Sequence, residues 1–150
     1  MTAERPFVPD DFEVPRELVA AEFRLEPLGP QHNESDYAAW TSSMAHIAAT
    51  PGFPWGTWPH PMPPEENLAD LQRHAQDFVN RTGFTYTVLA SEGGRVIGCV
   101  YIYPAKSGDG VNVRSWVTAD RAELDVPLHD AVSLWLKNAW PFETVSYAPR

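Results

Sequence analysis

The residues with the most chemical potential meet at one junction. Val111, Val113, Ser115 and Val117 alternate with Asn112, Arg114, Trp116 and Thr118, the period-2 pattern of a strand with two unlike faces. Pro127 suits the first turn of a following helix, where a missing N–H costs nothing. Between them, Ala119–Val126 lies at a strand end and a helix start, where open α/β folds set ligands against free backbone N–H groups. Arg114, central in its strand, requires an acid or a ligand as its partner. Elsewhere, His32, His46, His60, His74 and His129 are scattered, with no second ligand at helical or hairpin spacing, so no metal site is expected. Neither a G-x-S-x-G nucleophile turn nor a glycine-rich phosphate loop is present. Cys99, flanked by Gly98 and Val100 in mid-strand, reads as a buried core thiol.

The elements that must position these groups follow from composition and pattern. A chain of 150 residues, 43% apolar and 12% aromatic, is one folded domain with a real core. Its formal charge of −9, from 11 basic and 20 acidic residues, argues against nucleic acid or an anionic membrane as partner. No apolar run approaches the roughly 20 residues of a membrane span. Met1–Pro15 has no apolar stretch of a leader, and one cysteine is compatible with a reducing compartment, so a soluble cytoplasmic protein is expected.

Residues 1–22 read as an N-terminal arm and 23–150 as a single domain. Glu22–Leu28 alternates as a first strand and stops at Gly29-Pro30. Asn33–Ala49 reads as one helix, with Glu34 and Asp36 complementing the dipole of its first turn and Tyr37, Trp40, Met44, Ile47 and Ala48 on one face. Thr50–Pro63 holds five prolines in fourteen residues, which forbids regular structure. Its Phe53, Trp55, Trp58, His60 and Met62 must either cap the core or line a pocket. Pro64–Arg81 reads as a helix with the stripe Leu68, Leu71, Ala75, Phe78 and Val79, ended by Gly83. Phe84–Ala90 and Arg95–Tyr103 form a hairpin across Gly93-Gly94, and the junction strand follows. Pro127–Ala139 is a last helix with Leu128, Val132, Trp135 and Leu136 inward, and Phe142–Tyr147 a last strand. The expected class is α+β (mixed α/β): a mostly antiparallel sheet of about five strands, helices on both faces, in the order β-α-α-β-β-β-α-β.

That order, with the run RVIGCVYIYP … VRSWVTADRAELDVPLHDAVSLWL, resembles the GNAT superfamily of acetyl-CoA-dependent N-acetyltransferases over roughly Phe23–Tyr147. The resemblance implies a cofactor loop of the form Q/R-x-x-G-x-G/A after the junction strand, its N–H groups holding the pyrophosphate of acetyl-CoA. Here Ala122-Glu123-Leu124-Asp125-Val126-Pro127 stands in that place. It has no glycine for close backbone approach, a proline without a donor, and two carboxylates where a dianion belongs. The family also continues past its fifth strand, whereas this sequence ends at Arg150.

By resemblance, Trp116, Val117 and Thr118 contact an acyl-CoA (acetyl-CoA or another) through their backbone, and Arg121 is the only cation in the loop. His46, His60, Asp120 and Glu123 are the candidate bases for direct attack of an acceptor on a thioester. Trp55, Trp58, Tyr101, Tyr103 and Arg114 are the candidate acceptor wall. The expected function is acyl transfer from an acyl-CoA to a small amine-type acceptor, with a degenerate cofactor site. The alternatives are a non-catalytic GNAT-fold protein that binds a small molecule, and an interaction protein pairing as a homodimer through the edge strand Phe142–Tyr147.

Overall fold

The computed structural model describes residues 6–53, 58–106 and 110–150. Six strands form one sheet in sequential order: β1 (Leu18–Val19), β2 (Phe23–Pro27), β3 (Phe84–Ala90), β4 (Val96–Pro104), β5 (Val111–Val117) and β6 (Val145–Tyr147). Every neighbouring pair is antiparallel except β5–β6, which is parallel. The helices are α1 (Asn33–Thr41), α2 (Met44–Ala48), α3 (Pro64–Asn80) and α4 (Asp125–Ala139). Two 3-10 turns, Pro30–His32 and Ala119–Leu124, lead into α1 and α4. The mixed α+β class holds, with six strands where about five are expected. The extra strand is the two-residue β1, which adds to β2 through Leu18 opposite Leu25 and is too short to leave a periodic signature.

Alternation along the strands sends side chains to two separate cores. On one face Leu128, Val132 and Leu136 of α4 pack with Val88, Val100, Val113 and their neighbours. On the other, Trp40, Ile47 and Leu71 pack with Leu89, Val96, Cys99 and Trp116. β3 is buried along its whole length, as a central strand covered on both faces must be. Gly98 permits the close approach of β4 to β5, since a Cβ there would lie 2.5 Å from the Trp116 carbonyl oxygen. Residues of the arm join this core: Val8 is buried, and Phe7 and Phe12 pack beside it.

Three local expectations are corrected. The helix expected over Asn33–Ala49 breaks at Ser42-Ser43. Ser42 Oγ bonds back to Ala39 O at 2.9 Å, and Ser43 Oγ accepts the Ala119 N–H at 2.9 Å. Serine hydroxyls compete with the helical ladder in this way. α3 ends at Asn80 because Arg81 adopts a left-handed conformation (φ 61°). Val79, expected on the inward stripe, faces solvent. Finally, α4 starts two residues before Pro127, which keeps the proline within the first turn.

Candidate functional site

A cavity of about 420 Å³ lies on the sheet face covered by α1 and α3. Its floor comes from β4 and β5, whose register sets Tyr101 opposite Arg114 and Tyr103 opposite Asn112. Its walls are α1 (Asp36), α3 (Asn67, Asp70, Leu71, Arg73, His74 and Asp77) and the segment carrying Trp58, His60 and Met62. That segment is irregular because of its prolines, yet it is pinned: Tyr37 Oη donates to Met62 O at 2.7 Å. Trp58 packs among Trp40, Phe53, Tyr101 and Trp116, with ring centroids 5.4–6.5 Å apart. Both expected roles for this loop are therefore combined, since Trp58 caps the second core and also lines the cavity.

Two buried titratable groups face this space. Asp36 is 4% exposed. Its Oδ2 accepts from Asn67 Nδ2 at 3.1 Å, while Asn67 Oδ1 accepts from Trp40 Nε1 at 3.0 Å. Burial pushes the Asp36 carboxyl up to about 6, against the opposing effect of the Asn67 hydrogen bond. His74 Nδ1 lies 2.9 Å from both Tyr103 Oη and Thr85 Oγ1, and Tyr103 Oη donates to Asp77 Oδ2 at 2.8 Å. Burial holds His74 down at about 4, so the ring is neutral at pH 7. Gly83 makes room for the Tyr103 ring, which a Cβ there would enter.

Arg114 stacks on Phe53 and Tyr101, its guanidinium carbon 5.0 and 5.3 Å from the two ring centroids. It has no carboxylate partner among the described residues. Arg73 pairs with Asp70 at 2.8 Å, and Asp77 accepts a hydrogen bond from Tyr103 Oη.

Of the residues singled out in the sequence, the cavity brings together His60, Trp58, Tyr101, Tyr103 and Arg114. Trp55 lies outside the described residues. His46, on α2, is not part of the lining. Asp120 and Glu123 are exposed and turned to other partners. Asp120 accepts from Thr118 Oγ1 (2.6 Å) and Arg95 (3.0 Å), and chiefly the Thr118 bond holds its carboxyl below the ordinary value. Glu123 pairs with Arg121 at 3.0 Å. Trp116 is buried, donating Nε1 to Tyr101 Oη at 2.9 Å, and Val117 points into the α4-side core. Asp36 and His74 are the cavity groups that sequence reasoning passed over. The signal was available: His74 falls on the apolar stripe between Leu71 and Phe78, and Asp36 shares a helix face with Ala39 and Trp40.

The junction after β5 is arranged differently. Four of its backbone donors are spent within the fold: Thr118 N–H on Ile97 O (2.9 Å), Ala119 N–H on Ser43 Oγ (2.9 Å), Arg121 N–H on Thr118 O (3.0 Å) and Asp125 N–H on Ala122 O. β5 and β6 pair only from Val111–Val145 to Val113–Tyr147 and then part. Arg150 fills the wedge that opens there. Its side chain is 4% exposed, and its three nitrogens donate to Asp125 Oδ2 (2.7 Å), Ala148 O (2.9 Å) and Ser115 O (2.9 Å). Tyr147 Oη closes the same space on Ser115 Oγ, with the His129 ring 4.1 Å from its own. Asp125, in the first turn of α4, also sets a carboxylate where an anion at this helix N-terminus would sit. Wedge and cavity abut at Gly52, where a Cβ would touch both Arg114 and Ala148.

No family model matches the sequence, and no curated protein does. Solved structures match the fold. A ribosomal-protein-S5-alanine acetyltransferase from Vibrio fischeri aligns with a TM-score of 0.63 at 14% identity, over 82% of this chain and 68% of that one. A GCN5-related N-acetyltransferase from Brucella melitensis aligns at 0.66 and 15% identity, over 93% and 62%. A microcin C7 self-immunity acetyltransferase, solved with acetyl-CoA and AMP, aligns at 0.58 and 10% identity, over 79% and 62%. The chain has the fold of the GNAT acetyltransferases and spans about two thirds of the length of these examples. Among the described residues, no helix is long and apolar enough to cross a membrane, and no three His, Cys, Asp or Glu side chains are grouped to hold a metal.

Proposed function

We propose that the protein serves acyl transfer to a small amine-type acceptor seated in the α1/α3 cavity. The observation that carries this reading is the cavity itself: an aromatic-lined space against β5 with a buried carboxyl group in its wall, on a fold shared with acetyltransferases. Its volume suits a small molecule. An amine must lose its proton before it attacks an acyl carbon. Asp36 is ionised at neutral pH, and its raised proton affinity makes it a better acceptor of that proton than an ordinary aspartate. His74, held near 4, is the weaker base and instead fixes Tyr103 and Thr85 around the site. Acyl-CoA is the donor that the fold suggests, although the 118–127 loop offers it no pyrophosphate cradle. Any chain laid along β5 beyond Val113 has to displace Arg150 first.

That last feature favours a second reading, in which the fold binds a small molecule without transferring anything. Arg150 seated in the wedge and four loop donors engaged within the fold support it. Thiol release from acetyl-CoA, propionyl-CoA and succinyl-CoA in the presence of a panel of primary amines separates the two. Amine-dependent release supports transfer. No release, together with no rise in Tm at millimolar acyl-CoA, removes the transferase reading and leaves the binding one.

A further inference from the structure

The charges lining the cavity constrain the acceptor beyond its amine. Arg73 is neutralised by Asp70, and Asp77 is occupied by the Tyr103 hydroxyl. Besides Asp77, whose partner is that neutral hydroxyl, two charges of opposite sign are left without a counter-charge among the described residues. One is the Asp36 carboxyl, with a single oxygen hydrogen-bonded by Asn67 and the other free of any partner among the described residues. The other is the Arg114 guanidinium, held on the faces of Phe53 and Tyr101 with its N–H fork unclaimed by any described carboxylate. They are held by different elements, α1 and β5, and both line the same space. The same lining carries apolar surface from Leu28, Trp58, Met62, Leu71 and Tyr101.

A buried carboxylate and a half-buried guanidinium each cost free energy unless a ligand supplies the opposite charge. Arg recognises a carboxylate through two parallel N–H donors, so the matching group is planar and anionic. We infer that the cavity takes a zwitterion: a free amino acid with an apolar or aromatic side chain, its ammonium at Asp36, its carboxylate at Arg114 and its side chain against Trp58 and Tyr101. This rests on the cavity being the acceptor site, and it narrows the acceptor from amines in general to amines that carry a carboxylate.

Equilibrium binding tests it without reference to turnover. The probes are L-leucine and L-phenylalanine, the amines that lack their carboxylate (isopentylamine and phenethylamine), and the acids that lack their amine (4-methylpentanoate and 3-phenylpropanoate). The intact protein is titrated calorimetrically with each. At least one amino acid should bind ten-fold or more tighter than its amine and its acid. Arg114→Gln should bring that amino acid and its amine to equal affinity, and Asp36→Asn should do the same for the amino acid and its acid. An amine that binds as tightly as its amino acid overturns the inference, as does a ratio unchanged by Arg114→Gln or the absence of binding by any probe. Should a variant not fold, the ligand series on the unmodified protein still decides. An amino acid that binds but never releases thiol from acyl-CoA leaves this inference standing and removes the transferase reading. Thiol release with phenethylamine as fast as with L-phenylalanine does the reverse.

Discussion

Arg114 and Ser115 are consecutive residues of β5, so they face opposite sides of the sheet and belong to two different spaces. On the Ser115 side, the wedge toward β6 is filled. Arg150 donates from all three nitrogens, and only Asp125 Oδ1 and His129 Nε2 are buried there without a partner among the described residues. On the Arg114 side, the cavity is open, its arginine only stacks on rings, and its Asp36 is half-engaged. One arginine is spent on the fold, and the other has no carboxylate partner among the described residues. A binding site is distinguished here by polar groups whose bonding capacity the fold has left unspent, rather than by their number.

Substitutions should separate the two spaces sharply. Arg150→Ala leaves the half-buried Asp125 carboxylate and the Ser115 carbonyl without their donor. It should lower unfolding free energy by about 3 kcal/mol, read from a urea midpoint. A loss below about 0.5 kcal/mol would mean that the wedge is not held by Arg150.

Asp36→Asn should act in the opposite direction. Asp36 titrates near 3.8 when unfolded and near 6 when folded, so its contribution is complete below pH 3.8 and is lost as pH rises through 6. Replacing it with a neutral isostere should therefore stabilise the protein by about 2 kcal/mol at pH 7, and the gain should vanish below pH 4. Denaturation curves at pH 4 and pH 7 check both halves, and an equal effect at the two values would contradict the assignment.

His74 has the mirror-image window. Its pKa is depressed from 6.5 to about 4, so its contribution is present above 6.5 and is lost as pH falls toward 4. The two slopes oppose each other between pH 4 and 6. His74→Gln should expose the Asp36 slope, giving a protein about 1 kcal/mol less stable at pH 7 from its lost hydrogen bonds and losing stability as pH rises from 4 to 6. The smallest effect belongs to Arg114→Gln, which removes only ring stacking and should cost less than about 1 kcal/mol. A larger cost would place Arg114 with Arg150, among the groups that hold the fold.

Much of the architecture was legible because its signals are local. The stripe Leu128, Val132, Trp135 and Leu136 is the buried face of α4, and the Gly-Gly hairpin forms between β3 and β4. The period-2 pattern of Val111–Val117 correctly set Arg114 and Trp116 on one face and Ser115 on the other. Tertiary demands decided the rest. Ser43 leaves the helix because the Ala119 N–H, 76 positions away, takes its hydroxyl. Asp36 was read as a dipole-complementing residue, which is what its position in the first turn of α1 suggests. Only Trp40 and Asn67 arriving beside it make it a buried acid. His74 has no second ligand at metal spacing, yet its place on the apolar stripe between Leu71 and Phe78 marks it as inward. Asp120 and Glu123 drew attention by lying in the loop, and the 3-10 turn directs them to Arg95 and Arg121.

A crystal structure of the protein with a bound amino acid tests the central claim most directly. The ligand should occupy the α1/α3 cavity, its nitrogen within hydrogen-bond distance of Asp36, with Arg150 still in place on Asp125 and Ser115. A ligand lodged between β5 and β6, with Arg150 displaced and the cavity unchanged, would contradict it.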